Sequence, residues 1–133
     1  MRAIATLVVL VLVSVSAAES ASGSEGKALY DALCQTCHGT LGDGDGVGIP
    51  EGMLRPRPFR VAVFKFDADA DWQKGTDADL ALVIRNGPAV YGGSAFMPPW
   101  PTLEDAQIVD LVAHIRKLQQ SVRAQGELSA QGG

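Results

Sequence analysis

From Ala3 to Val15 the chain is an almost unbroken apolar run; it follows the single basic residue Arg2 and leads into the small residues Ser16-Ala17-Ala18. The run is too short to cross a bilayer comfortably. Together these features predict a signal peptide over residues 1–18, cleaved just before Glu19, with an uncleaved anchor as the alternative. Residues 19–24 carry small side chains without periodicity and are expected to be a mobile lead-in. Periodicity then begins. Ala28, Leu29, Ala32 and Leu33 recur at helical spacing, so a first helix is predicted from about Glu25 to His38, with Ser24 as its N-cap and Gly39 at its end.

Gly42-Asp43-Gly44-Asp45-Gly46-Val47-Gly48 breaks every periodic pattern, because alternate glycines favour turns and positive φ. Arg55-Pro56-Arg57-Pro58 continues the irregular stretch, since each proline holds the preceding residue out of α geometry. Val61, Val63, Phe64 and Phe66 form a short apolar run whose period fits either a brief strand or a packed loop. Thr76, with Asp79 three residues later, predicts the capped start of a second helix through Leu80–Ile84, and Asn86-Gly87-Pro88 ends it. A long loop from Pro88 to Pro101 follows. Thr102 is the expected cap of a last helix, Leu103 to about Gln119, whose Ile108, Leu111, Val112, Ile115 and Leu118 make one apolar stripe. Residues 121–133 are polar and end in glycine, so a disordered tail is expected there and the folded domain is placed at 25–120.

The chemistry lies at the end of the first predicted helix, where Cys34-Gln35-Thr36-Cys37-His38 uses both cysteines of the chain. On a helix, residues three and four apart share a face, so the two thiols and the imidazole project together. Two thiols at this spacing can form thioethers to the vinyl groups along one haem edge, while the next residue offers a proximal iron ligand. A thioredoxin-like site would need a strand before Cys34, and none is predicted. A structural zinc site would need further Cys or His ligands, and only His114 remains. Export agrees with haem attachment, which bacteria carry out beyond the cytoplasmic membrane, so the periplasm is the expected compartment.

A histidine-ligated haem iron has a sixth position, and its occupant separates an electron carrier from an open gas-binding or oxygen-activating site. Met97 is the leading candidate. Pro98 and Pro99 restrict the backbone behind it, and Gly92 and Gly93 allow close approach in front. Met53 is the competitor; it follows His38 by only a short segment expected to cover the proximal side. His114, on the last helix, is expected to be a packing or surface histidine. Calcium at Asp43 and Asp45, or at Asp67, Asp69 and Asp71, lacks the full EF-hand pattern, so solvated acidic turns are expected instead. The glycine-rich loop has no strand before it and no helix after it to make a phosphate cradle.

Length and charge narrow the picture further. A chain of 133 residues makes one domain, and with only 6% aromatic residues it has little material for a core, which a haem would supply. Fifteen acidic against eleven basic residues give a net charge of −4. That balance argues against nucleic acid and anionic membrane partners and suits proteins with a basic docking patch.

The residues so assembled resemble the class I c-type cytochromes, the small single-haem periplasmic electron carriers, over most of the mature chain. Gly26 and Tyr30 are similar to the small and aromatic pair with which the family's first helix crosses its last. Met97-Pro98-Pro99-Trp100 resembles the distal loop, and Leu103–Leu118 the closing helix. The resemblance implies a mostly α cytochrome c fold, three or more helices with long loops around one covalently bound haem c. It also implies that the Pro50 carbonyl receives the second nitrogen of His38 and orients its ring. The implied function is electron transfer between redox partner proteins by a monomer that is not itself an enzyme, with Cys34 and Cys37 on the haem and His38 and Met97 on its iron. A subunit of a larger periplasmic dehydrogenase or oxidase, and a peroxidase-like or gas-binding protein with an open sixth site, are the alternatives. Two features depart from the family. His114 stands where the closing helix commonly carries an aromatic residue, and Arg60–Lys74, with its Asp67–Trp72 run, has no family counterpart.

Overall fold

A computed structural model describes residues 16–61 and 63–131. Residues 1–15, which hold most of the expected signal peptide, lie outside the described residues. Four α-helices are present among them: α1 (Ser16–Leu33), α2 (Gln35–His38), α3 (Asp77–Asn86) and α4 (Asp105–Gln131). Two 3₁₀ turns, Phe59–Val61 and Pro88–Tyr91, interrupt the long connections. No described residue is in a strand, so the apolar run around Phe64 is a packed loop, and the mostly α expectation holds.

The helix boundaries differ from those expected, for local reasons. Instead of starting near Glu25, α1 extends back to Ser16. Ala17, Ala18, Glu19 and Ala21 are good helix formers, so the expected lead-in is helical and Ser24 lies within the helix rather than at its cap. At the other end the helix bends instead of running straight to His38. Cys34 has φ −119° and ψ −41°, yet its N–H still donates to the Tyr30 carbonyl at 2.9 Å and its own carbonyl accepts from His38 N at 2.9 Å. One-turn spacing between Cys34 and His38 therefore survives the bend.

The start of α3 is as expected. The Thr76 hydroxyl accepts from Asp79 N, and the Asp79 carboxylate accepts from Thr76 N, a complete capping box. Gly87, at φ 74°, closes the helix. For α4 the expected Thr102 cap is not used. Leu103 N donates to the Trp100 carbonyl at 3.4 Å, which keeps Thr102 in a turn, and the helix begins after Glu104, whose N–H donates to Gln107 Oε1 at 3.0 Å. The helix then continues past Gln119 to Gln131, through most of the segment expected to be disordered.

One cluster forms the core: Tyr30, Phe59, Leu80, Ile84, Ile108, Leu111, Val112 and Ile115. Four of the five residues of the predicted α4 stripe are in it, and Leu118 packs at its margin. Gly26 marks the closest approach of α1 to α4, since a Cβ there would lie 2.1 Å from the Asp110 carbonyl oxygen. Tyr30, with no exposed surface, fills the crossing one turn later. Arg116 of α4 ties in the remaining loop: it pairs with Asp77 at 2.7 Å, donates to the Gly75 carbonyl at 2.7 Å and lies 5.2 Å from the Phe64 ring centre.

Candidate haem-binding site

The bend at Cys34 starts a single turn of helix that presents Cys34, Cys37 and His38. Both thiols are unpaired and partly buried. Burial pushes the Cys34 thiol up to about 11, and the neighbouring Cys37 adds to the shift, so it stays protonated at neutral pH. His38 stacks on Phe59, ring centres 4.9 Å apart and planes 18° from parallel. Burial lowers its pKa to about 4, which keeps the imidazole neutral and its nitrogens available as ligands.

The glycine-rich loop closes beneath this turn. Gly44 N donates to the His38 carbonyl at 2.8 Å, and Gly48 N to the Thr36 carbonyl at 2.8 Å. A Cβ on Gly46 would lie 2.3 Å from the Thr36 carbonyl oxygen and 2.5 Å from the Cys37 carbonyl carbon. Glycine is needed there because the loop backbone lies directly against the attachment turn. Phe59 N then donates to the Gly42 carbonyl at 2.8 Å, which brings the Phe59 ring under His38.

Met97 is half-buried and packs against the same core cluster that contains Phe59. Its loop is anchored at both ends: Gly93 N donates to the Pro88 carbonyl at 2.8 Å, and Trp100 N to the Ile84 carbonyl at 3.0 Å. Met53 lies in a different turn, its N–H donating to the Pro50 carbonyl at 3.1 Å, and is not among the residues packed on the core. That bond bears on the implied role of Pro50. Its carbonyl closes the turn to Met53, whereas His38 Nδ1 is buried with no hydrogen-bond partner, so the implied Pro50–His38 contact is not formed.

His114 lies away from the attachment turn, at the α1–α4 crossing, its ring 5.0 Å from that of Tyr30. Asp67, Asp69 and Asp71 do converge, with one carboxylate oxygen of each within 4.8 Å of the others. Those carboxylates are spent on their own turn, accepting from the N–H groups of Asp71, Trp72 and Gln73. Asp43 pairs with Arg60 at 3.2 Å. The Asp67–Asp71 turn is largely exposed, whereas Asp43, expected in a solvated turn, has one carboxylate oxygen buried.

Sequence reasoning missed two contributors. Phe59 follows the Arg-Pro-Arg-Pro stretch, where no periodicity marks it as core, and the hydroxyl of Tyr30 has a partner visible only in three dimensions. The donor set suits covalent haem: two free thiols on one helical turn, and a neutral, partly buried imidazole one turn from the first of them.

The family model described as "Cytochrome C oxidase, cbb3-type, subunit III" matches residues 21–115. A relative from Azospirillum sp. (strain B510), "Cbb3-type cytochrome c oxidase subunit CcoP", is 32% identical over 110 residues, which cover 77% of this chain and 30% of that protein. The chain thus spans a minor part of the length of that relative. No solved structure matches at a significant level. The chain belongs to the family of cbb3-type cytochrome c oxidase subunit III, and within it is a single-haem class I c-type cytochrome domain that carries covalent haem c and transfers electrons.

Proposed function

We propose that Cys34 and Cys37 form the two thioethers, that His38 and Met97 are the axial ligands of the iron, and that the domain relays single electrons between redox proteins on the periplasmic side of the membrane. When bound, haem c supplies a one-electron couple between ferric and ferrous iron. The residues around it supply the rest. His38 enters as a neutral donor, and Phe59 limits the rotation of its ring. Met97 offers a soft thioether that favours the reduced state, and Pro98 and Pro99 restrict the backbone that carries it. The observation that carries the proposal is the convergence of a neutral, partly buried His38, stacked on Phe59, and a half-buried Met97 on one apolar cluster, beside two thiols on one helical turn.

Family membership favours a specific form of this reading, in which the domain delivers electrons within an oxidase assembly rather than as a free carrier. Gentle detergent extraction followed by size-exclusion chromatography with haem staining separates the two. Co-elution with a large haem-containing assembly is expected for an oxidase subunit, and elution at monomer size for a free carrier. Carbon monoxide added to the reduced protein tests both at once. A Met97-ligated iron should bind it slowly or not at all, and rapid stoichiometric binding at neutral pH would refute the closed site.

A further inference from the structure

We propose that Tyr30 is a positioning residue for His38, holding the proximal ligand through two separate contacts. Its hydroxyl, fully buried, donates to the Gly39 carbonyl at 2.7 Å, on the residue that directly follows the histidine. Its ring meets Phe59 edge-on, centres 6.4 Å apart at 64°, and Phe59 in turn stacks on the imidazole. Tyr30 thus grips the ligand from the backbone side and from the ring side.

Both contacts have a reason to matter at this place. Gly39, at φ 80°, is where the chain leaves the attachment turn, and the Tyr30 hydroxyl on its carbonyl joins the Gly44 N–H on the His38 carbonyl in fixing that exit. The imidazole Nδ1 has no hydrogen-bond partner among the described residues. Ring orientation is then left to the Phe59 face, which Tyr30 backs. A loosened imidazole donates less to ferric iron than a rigidly held one does, so weakening the grip should disfavour the ferric state and raise the midpoint potential.

The proposal rests on His38 being an iron ligand, and the test keeps the two apart. In the wild-type ferric holoprotein, hyperfine-shifted His38 ring resonances report ligation; their absence would overturn the ligand assignment itself. Given those resonances, Tyr30→Phe removes the hydroxyl while keeping the ring. The expected results are displaced His38 resonances, a higher midpoint potential and about tenfold faster exchange of the Gly44 amide, which bonds the His38 carbonyl. Ile108→Val loosens the same helix crossing while keeping the Tyr30 hydroxyl, Gly39 and the Phe59 ring, and should lower stability with the potential unmoved. Unchanged potential and resonances in Tyr30→Phe would overturn the proposal. Should that variant fail to take up haem, 3-fluorotyrosine incorporated in a Tyr91→Phe background, which makes only the Tyr30 hydroxyl a stronger donor to Gly39, should displace the same resonances, and unchanged resonances and potential would overturn the proposal.

Discussion

Asp79 shows how much one residue can do at the start of a short helix. Only 1% exposed, its carboxylate accepts from Thr76 N at 2.9 Å, from the Thr76 hydroxyl at 3.0 Å, and from the N–H groups of Ala68 and Asp69 in the acidic turn. The capping box was legible in sequence, because Thr and Asp three apart before an apolar run have few other uses. Its second role was not, since nothing in Asp67–Trp72 indicates that the turn folds back onto a helix cap. Burial acts to raise the Asp79 pKa, but the bonds from Thr76, Ala68 and Asp69 outweigh it and hold the carboxyl below its ordinary 3.8. A depressed folded pKa means the stabilisation is present above 3.8 and is lost as pH falls through the lower, folded value. Asp79→Ala should therefore cost about 2–3 kcal/mol at neutral pH, by leaving buried N–H groups unpaired, and should flatten the acid limb of stability. Urea melts across the acid range check both.

At the scale of elements, the crossing of α1 on α4 organises the domain. The Ile108–Ile115 stripe was readable from spacing, but on α1 spacing pointed to Ala28, Leu29, Ala32 and Leu33, of which Ala28 and Ala32 are exposed, while the residues at the crossing, Gly26 and Tyr30, came only from the family resemblance. Helix ends were read less well: Ser24 and Thr102 look like caps in isolation, and neighbouring turns or good helix formers override them. His114 takes the aromatic position of the crossing and packs on Tyr30. Burial lowers its pKa, opposed by Asp31 and assisted by Lys27 and Lys117. The sign follows. Below the ordinary 6.5 the unfolded chain binds the proton more readily than the folded one, so stability falls as pH drops through that value. His114→Phe keeps a ring against Tyr30 and removes the charge. Thermal melts on either side of that pH should show a smaller loss on acidification in the variant than in the wild type.

For the whole molecule, three long-range closures set the site: the glycine loop under the attachment turn, the Met97 loop tied to α3, and Arg116 over Phe64. The pentad Cys34–His38 is legible in sequence because its chemistry demands fixed residue types at fixed local spacing, whereas Met97 is singled out only by the prolines behind it. Phe59 and the partner of Pro50 are not legible there, because both depend on how an aperiodic loop closes. The same limit explains the acidic segment. Asp67, Asp69 and Asp71 come together because their carboxylates cap the N–H groups of their own turn, which the sequence does not reveal.

The central claim is that Met97 completes the iron opposite His38 and so makes this domain an electron carrier. The most direct test is the visible spectrum of ferric wild-type protein beside that of Met97→Ala, both with haem content confirmed by pyridine haemochrome. Methionine ligation predicts a long-wavelength sulfur-to-iron charge-transfer band in the wild type and its loss in the variant, with covalent haem retained. Persistence of that band in Met97→Ala would contradict the assignment.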